Sequence, residues 1–206
     1  FSSAGLPVPE IYAVSGDGMA YIQEDLGDAV LFDMLGSDGA EDLLYAVMKL
    51  LPDLQFKGAE GLDFDICYPV KAFDRRQVMF DLNYFKYCFL KPSGLDFNEV
   101  VLQDELERFA DALSGVRRVG FMYRDFNARN VMIRDGKPYF IDFQGGMCGP
   151  IYYDVASFVW QARARYSDAL KMKMVDAYLE ALSSYIDIDR ETFLAELRPF
   201  VLFRTL

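Results

Sequence analysis

Histidine is absent from all 206 residues, and its absence excludes a large part of enzyme chemistry. Ser-His-Asp and Cys-His nucleophile systems, His-ligated zinc and an imidazole general base are all ruled out. Proton transfer must rest on carboxylates, lysine, tyrosine or cysteine. Cysteine is itself scarce: Cys67, Cys88 and Cys148 stand far apart, with no C-x-x-C pair. No disulfide framework is implied, which fits a reducing cytoplasm. There is no N-x-[ST] sequon, and no apolar run approaches the roughly 18–20 residues that a membrane helix needs. The first residues do not carry a charged segment followed by an apolar stretch, so neither a signal peptide nor a membrane partner is expected. Positive charge is also in deficit, 21 Lys plus Arg against 32 Asp plus Glu, a formal net charge of −11. Such a chain lacks the basic footprint of non-specific nucleic-acid binding. Acidic clefts suit cationic substrates or divalent metals, but the ordinary meaning of this charge is a soluble surface.

What is present describes a globular chain. Apolar residues make up 52% and charged residues 26%, enough for a sizeable core. Residues 7–15 (PVPEIYAVS) and 19–23 (MAYIQ) are β-rich and flank the turn signal Gly16-Asp17-Gly18, so a hairpin is expected. The stretch 24–28 (EDLGD) breaks that pattern and could cap a helix starting near Ala29. The following residues, to about Val119, read as mostly helical. Leu43, Leu44, Val47, Met48 and Leu51 recur at helical spacing, as do Val101, Leu102, Leu106, Phe109 and Leu113. Between them lies an aromatic run, 80–90 (FDLNYFKYCFL), whose stripe would ordinarily be core. After Pro150, helices are expected over about 154–165, 168–184 and 190–204, capped by Asp154, Ser167 and Asp189.

The informative stretch begins at Tyr123-Arg124-Asp125-Phe126-Asn127-Ala128-Arg129-Asn130. Two apolar runs follow, Val131 to Ile133 and Tyr139 to Ile141, separated by Arg134-Asp135-Gly136-Lys137. Asp-Gly between alternating apolar runs is a strong hairpin signal. Asn130 would then open one strand and Asp142 close the other, both at the open end. Directly opposed residues lie about 4.5–5.5 Å apart, although a one-residue slip would turn either side chain to the other face. A carboxylate and a carboxamide there suit a hard cation such as Mg²⁺. Asp125, on the preceding loop, could orient a hydroxyl and accept its proton. Metal clamp plus base is the layout of phosphoryl transfer. The bland alternative makes Asp125 a turn residue, Asn130 a strand-entry cap and Asp142 a loop start.

At these residues the chain resembles a known family. YRDFNARN is similar to the catalytic loop of protein-kinase-like phosphotransferases, and IDFQ to their metal-binding D-F-G element. The run RDFNARNVMIRDGKPYFIDFQGGMCGPIYYDVAS resembles the aminoglycoside phosphotransferase/choline kinase superfamily. Its DFQ variant, the following Gly-Pro and the Tyr-Asp-Val-Ala-Ser segment, with FDLNYFKYCFL upstream, are most similar to bacterial anomeric kinases for N-acetylmuramate and N-acetylglucosamine. The resemblance implies an α+β, protein-kinase-like fold and an ATP- and Mg²⁺-dependent kinase of a small molecule, with an amino sugar favoured at its anomeric hydroxyl. An aminoglycoside kinase, or a nucleotide- or metabolite-binding module without turnover, are the other readings. By position, Asp125 matches the base, Arg124 the arginine before it, and Asn130 and Asp142 the metal ligands. Tyr123 stands where a histidine is usual.

The same resemblance gives other residues a second meaning. Asp154 would bond backbone amides of the catalytic loop. Gln23, Glu24 and Asp25 would form the interlobe hinge whose backbone meets adenine. Asp81, Asn83 and Tyr84 would lie near the acceptor pocket, where a sugar's hydroxyls need polar partners. Independently of the resemblance, Cys148 and Gly145-Gly146 read most simply as a flexible loop. No G-x-G-x-x-G or G-x-x-x-x-G-K-[ST] occurs, so the phosphate-covering loop and the phosphate-binding lysine are expected upstream, with further residues possible downstream. Residues 1–27 would be a remnant of the N-lobe plus hinge, and 28–206 the helical C-lobe. The remnant is expected to present Val8, Ile11, Ala20 and Ile22 as apolar surface.

Overall fold

The computed structural model describes residues 1–206. It is an α+β structure in which three small antiparallel ribbons frame a helical body. The first ribbon pairs β1 (Ile11–Val14) with β2 (Tyr21–Gln23). Both strands are exposed along their whole length, Ile11 and Ile22 included. Ala20 is exposed as well. Val8 differs from expectation. It is 7% exposed and belongs to the main core with Leu6, because Pro7 is stitched to the body through its carbonyl, which accepts from the Phe140 amide at 2.7 Å.

The linker after β2 does not cap a helix at Ala29. Helix α1 is one turn, Leu31–Met34, preceded by Val30, whose side chain caps nothing. Residues 29 and 30 instead lie extended against a strand. The Ala29 carbonyl accepts from Ile133 N at 2.8 Å, and Val30 bridges to Met132.

Helix α2 (Ala40–Phe56) buries Leu44, Val47, Met48, Leu51 and Leu54 at the expected spacing and packs on α6 (Asp168–Leu182). Helices α3 (Arg75–Phe85) and α4 (Glu99–Ser114) form a second pair. Asp74 and Asn98 cap them by accepting first-turn amides. The aromatic run departs from the core expectation. Val78 and Leu82 are the buried apolar residues of α3, while Phe80 and Tyr84 are about two-thirds exposed. A single π-helical turn, Lys86–Leu90, follows and leaves Tyr87 and Phe89 exposed too.

The other ribbons frame the central loop. Strand β4 (Val131–Arg134) pairs with β5 (Lys137–Phe140) in the register Val131 to Phe140. Asp135 and Gly136 both take positive φ, 50° and 73°, as a two-residue hairpin turn requires. Strand β3 (Val119–Met122) pairs with β6 (Met147–Pro150), register Val119 to Pro150. The loop expected around Gly145-Gly146 and Cys148 is therefore corrected: Cys148 sits in a strand, opposite Phe121. The two glycines at 146 and 149 permit close packing. A Cβ at Gly146 would stand 2.3 Å from the Phe121 ring, and one at Gly149 2.6 Å from Met122 Sδ.

Helix α5 follows at once, Ile151–Val159, not near 154 as the cap reading of Asp154 required. Pro150 ends the strand and occupies the cap position, so the helix begins three residues earlier. All nine residues of α5 are buried, as befits a helix apolar on most of its circumference. It packs on α7 (Arg190–Thr205). Ser167 and Asp189 cap α6 and α7 as expected.

One buried polar side chain ties these helices together. Gln55, on α2, donates to the Ile151 carbonyl at 2.9 Å and accepts from the Tyr178 hydroxyl at 2.7 Å. Gln55→Leu keeps the bulk but orphans both groups, and each unsatisfied buried group costs about 1–3 kcal/mol. The expected outcome is a clearly lower urea midpoint with an unchanged m-value. A midpoint equal to wild type would show that the pair carries none of the α2–α5–α6 packing.

Candidate active site

The site is built around residues 123–130 and the open end of the β4–β5 hairpin. Arg124 adopts φ 75° and Asp142 φ 67°. A left-handed backbone costs a residue with a Cβ roughly 1–2 kcal/mol, so neighbouring structure must hold both. Asp154 holds the first. Its carboxylate, fully buried on α5, accepts from Tyr123 N at 2.8 Å and Arg124 N at 2.9 Å. Burial pushes this carboxyl from 3.8 up to about 7, opposed by the two amides and by the charge of Arg204.

Tyr123 holds the second. Its buried hydroxyl shares one proton between the carbonyls of Ile141 and Asn130, the last backbone carbonyls before Asp142 and before β4. Its ring packs on Phe126 and Phe143, at 5.2 and 6.1 Å between centroids, and Phe143 meets Phe1 at 5.0 Å. Where the resemblance would put histidine, tyrosine serves as a hydrogen-bonding strut.

The loop closes on itself. The Asp125 carbonyl accepts from Asn127 Nδ2 at 2.8 Å and from Asn130 Nδ2 at 2.9 Å. Asn130 Nδ2 also reaches Asp142 Oδ2 at 3.3 Å, and Gln144 Nε2 donates to Asp142 Oδ1 at 2.8 Å. Asn130 and Asp142 therefore face the same side, the alternative that spacing left open. With its NH₂ committed, Asn130 presents its carbonyl oxygen, and Asp142 presents an exposed carboxylate. No cluster of three or more His, Cys, Asp or Glu is present. Two hard oxygen ligands fit Mg²⁺, which usually takes one or two protein groups and fills its shell with phosphate and water. Asp125 keeps its carboxylate free of protein hydrogen bonds and close to Gly145, whose Cβ position lies 3.8 Å from Oδ2.

Two cavities of about 460 Å³ meet at Asp125. The first is lined by Asp81, Tyr84, Phe85, Arg124, Asp125 and Arg204, among others. Asp81 and Tyr84 thus lie beside Asp125, whereas Asn83 is not among the lining residues. Asp81 accepts from Gln77 Nε2 at 3.2 Å and lies 3.7 Å from Arg124 Nη2. Burial pushes its carboxyl up, and Gln77, Arg124 and Arg204 pull it back. The second cavity opens between Phe32, Asn127, Arg129, Trp160 and Arg163.

Gln23, Glu24 and Asp25 line neither cavity. Glu24 N donates to the Glu10 carbonyl at 2.7 Å, and the Glu24 carboxylate pairs with Arg134 on the hairpin. Asp25 Oδ1 accepts from Gly27 N at 2.8 Å. Glu24 therefore braces the linker against β4 with its backbone amide already committed. Sequence reasoning missed Gln144 as the partner of Asp142, and Tyr153, Phe203 and Arg204 as walls. Gln144 was readable within its own motif. The walls come from α5 and α7, and no local pattern brings them to the loop.

A family model described as APH, phosphotransferase enzyme family, matches residues 1–194. The chain belongs to this family. Among phosphotransferases with curated names it is 26% identical over 181 residues to an N-acetylmuramate/N-acetylglucosamine kinase of Neisseria meningitidis, and 27% identical over 158 residues to the one of Pseudomonas aeruginosa. These alignments take in 84% and 75% of this chain but 52% and 44% of the relatives, so the chain spans about half the length of those kinases. Among solved structures it is similar to an amicoumacin kinase bound to AMP-PNP, Ca²⁺ and Ami (TM-score 0.71, 14% identity, 98% of this chain and 64% of that one). It is also similar to a choline kinase of Cryptosporidium parvum (TM-score 0.65, 12% identity, 96% and 65%). The protein-kinase-like fold of the family is thereby shared. No helix is long and apolar enough to cross a membrane.

Asp154 makes a pH-dependent prediction. Folding raises its pKa from 3.8 to about 7, so the native chain holds the proton more tightly than the unfolded chain. Its contribution to stability is fully present below about pH 4, falls as pH rises toward about 7, and is flat above. Asp154→Ala should remove that slope and also orphan two buried amides, at about 1–3 kcal/mol each. Unfolding free energies of both proteins between pH 4 and 8 check this. A wild-type-minus-variant difference that widens with pH contradicts the assignment.

Proposed function

We propose that the protein is an ATP- and Mg²⁺-dependent kinase of a small amino sugar, acting on the anomeric hydroxyl. The observation that carries this reading is the joint placement of Asp125, Asn130 and Asp142. A free carboxylate faces a cavity of sugar size, and two oxygen ligands face together at the hairpin end. The names of the relatives at about a quarter identity support the sugar.

In this reading Asn130 and Asp142 hold Mg²⁺, which when bound neutralises phosphate charge. Asn130 is oriented by the Asp125 carbonyl, and Asp142 by Gln144 and Asn130. Asp125 Oδ2 orients the acceptor hydroxyl and takes its proton. Little base strength is needed, because a largely dissociative transition state transfers that proton late. Arg124, fixed by Asp154 through its backbone, lines the acceptor cavity beside Asp81. Asp81 and Tyr84 offer polar contacts to sugar hydroxyls against the apolar wall of Phe85. Gln23 to Asp25 border the nucleotide through backbone groups other than the Glu24 amide, which is bonded to the Glu10 carbonyl. Residues 1–27 act as part of the smaller lobe and its hinge, and 28–206 as the helical lobe.

Substitutions in the whole protein separate metal from base. Asp142→Asn keeps shape but removes the anionic ligand, and should nearly abolish turnover with only partial rescue by added Mg²⁺. Asn130→Ala should raise the Mg²⁺ requirement. Asp125→Asn should leave nucleotide and metal binding intact and lower kcat by roughly 10²–10⁴, the range for a positioned proton acceptor. Radiolabel transfer from ATP to N-acetylmuramate, N-acetylglucosamine and an aminoglycoside gives the readout. Label on the aminoglycoside alone rejects the sugar, and a wild-type kcat in Asp125→Asn with weakened Mg²⁺ binding rejects the base.

A further inference from the structure

The two cavities that meet at Asp125 differ in charge. In the first, Arg124 and Arg204 face Asp81 and Asp125, so charges balance. In the second, Arg129, Arg163 and Arg204 face Asp125 alone. This is the reverse of a chain with net charge −11. Most cations elsewhere find acidic partners, such as Lys49 with Glu180 and Arg190 with Asp176, although a few solvent-facing ones, Arg76 and Arg198 among them, do not. These three arginines form no ion pair, although acidic residues outnumber basic ones by half.

They come from three separate elements: the 123–130 loop, the turn Ala162–Ala164 after α5, and the last turn of α7. Arg204 is fixed. Its Nε donates to Ser157 Oγ at 2.6 Å, its Nη1 to the Tyr153 hydroxyl at 3.0 Å, and its guanidinium stacks 4.9 Å from the centre of the Tyr153 ring. A cation suits the C-terminal turn of any helix, but that preference does not require a guanidinium turned back onto α5. Both of its hydrogen-bond partners are neutral, the carboxylates that feel its charge, Asp81 and Asp154, form no ion pair with it, and further N–H donors of the fork stay free. The cavity floor is also fixed: Gln161 accepts from Ala128 N at 3.3 Å and donates to the Phe158 carbonyl at 2.7 Å.

A preorganised arginine fork among neutral partners, with two more arginines across a cavity, is suited to a carboxylate. We propose that Arg129, Arg163 and Arg204 form a subsite for a carboxylate carried by the acceptor, so that the protein prefers an N-acetylated amino-sugar acid to its neutral counterpart. This rests on the sugar-kinase reading and extends it to the residues that set specificity. It also disfavours a polycationic acceptor, since cationic amines would meet arginines there.

Calorimetry on the whole protein tests it with N-acetylmuramate, its uncharged methyl ester, N-acetylglucosamine and inorganic phosphate. The acid is expected to bind roughly tenfold or more tighter than the ester, as one charge-assisted hydrogen bond predicts. Arg163→Gln and Arg204→Gln should each shrink that preference. Arg163 makes no side-chain hydrogen bond that its loss could disturb, so this variant reads charge rather than folding. Equal binding of acid, ester and N-acetylglucosamine overturns the subsite and leaves the sugar reading standing, as does a preference that survives both substitutions. Phosphate binding with no sugar binding overturns the assignment to the acceptor and the sugar reading with it. No binding of any of the four overturns both.

Discussion

Everything around the loop depends on one buried carboxylate. Asp154 sits on a helix with no exposed residue, where an unpaired charge would be very costly. Its two acceptor oxygens meet two amides that have no secondary-structure partner. The arrangement works in both directions: the amides compensate the burial of the carboxylate, and the carboxylate fixes Tyr123 and Arg124. Arg124 is thereby kept left-handed, and the backbone reversal at Arg124 turns Asp125 outward between the two cavities. From Tyr123 the constraint passes through its hydroxyl to the carbonyls of Asn130 and Ile141, and so to Asp142. Helix α5, the loop and the hairpin end are thus one hydrogen-bonded unit rather than three neighbours.

Net charge is a poor guide to such a site. The acidic residues are spread over solvated helix faces, where exposed pairs contribute little. The residues around Asp125 are enriched in arginine instead. An argument from composition alone points to cationic ligands, while the local inventory around the cleft points the other way. Field and specificity follow from charges within a Debye length, about 8–10 Å, so the few groups lining a cavity outweigh a total spread over the whole surface.

Much of the site was legible because it is local. Asp-Gly between apolar runs fixed the hairpin, the hairpin placed Asn130 opposite Ile141, and one further residue reached Asp142. The failures are non-local or concern boundaries. Asp154 resembled a helix cap only because the helix start was misjudged; Pro150 sets it earlier, and the carboxylate is then free to reach across to the loop. Cys148 was read as loop because its strand partner, Phe121, lies 27 residues upstream and neither strand alternates clearly. The stripe of the aromatic run 80–90 pointed to core because periodicity reports that a face is apolar without reporting what it faces, while the resemblance set the run beside the acceptor pocket. Here it borders a cavity. Arg163 and Arg204 carried no signal, since only the packing of α7 on α5 brings them to Asp125.

The division between local and distant residues also separates two kinds of constraint. The proposed base Asp125, the oxygens of Asn130 and Asp142 proposed to hold the metal, and the struts that hold them lie between Tyr123 and Asp154, within one short stretch of chain. One hydrogen-bond network joins them. The cavity walls proposed to meet the acceptor come from elsewhere: Asp81 and Tyr84 from α3, Arg163 from a turn, Arg204 from α7. None of these bears on the Asn130–Asp142 geometry, and only Arg204 and Asp81 touch the central unit, through side chains rather than backbone. A fold built this way can keep its central loop and hairpin end while the walls of its cavities change. That is why a shared fold at 12–14% identity carries no information about the acceptor, and why the acceptor has to be argued from the arginines that line the cleft.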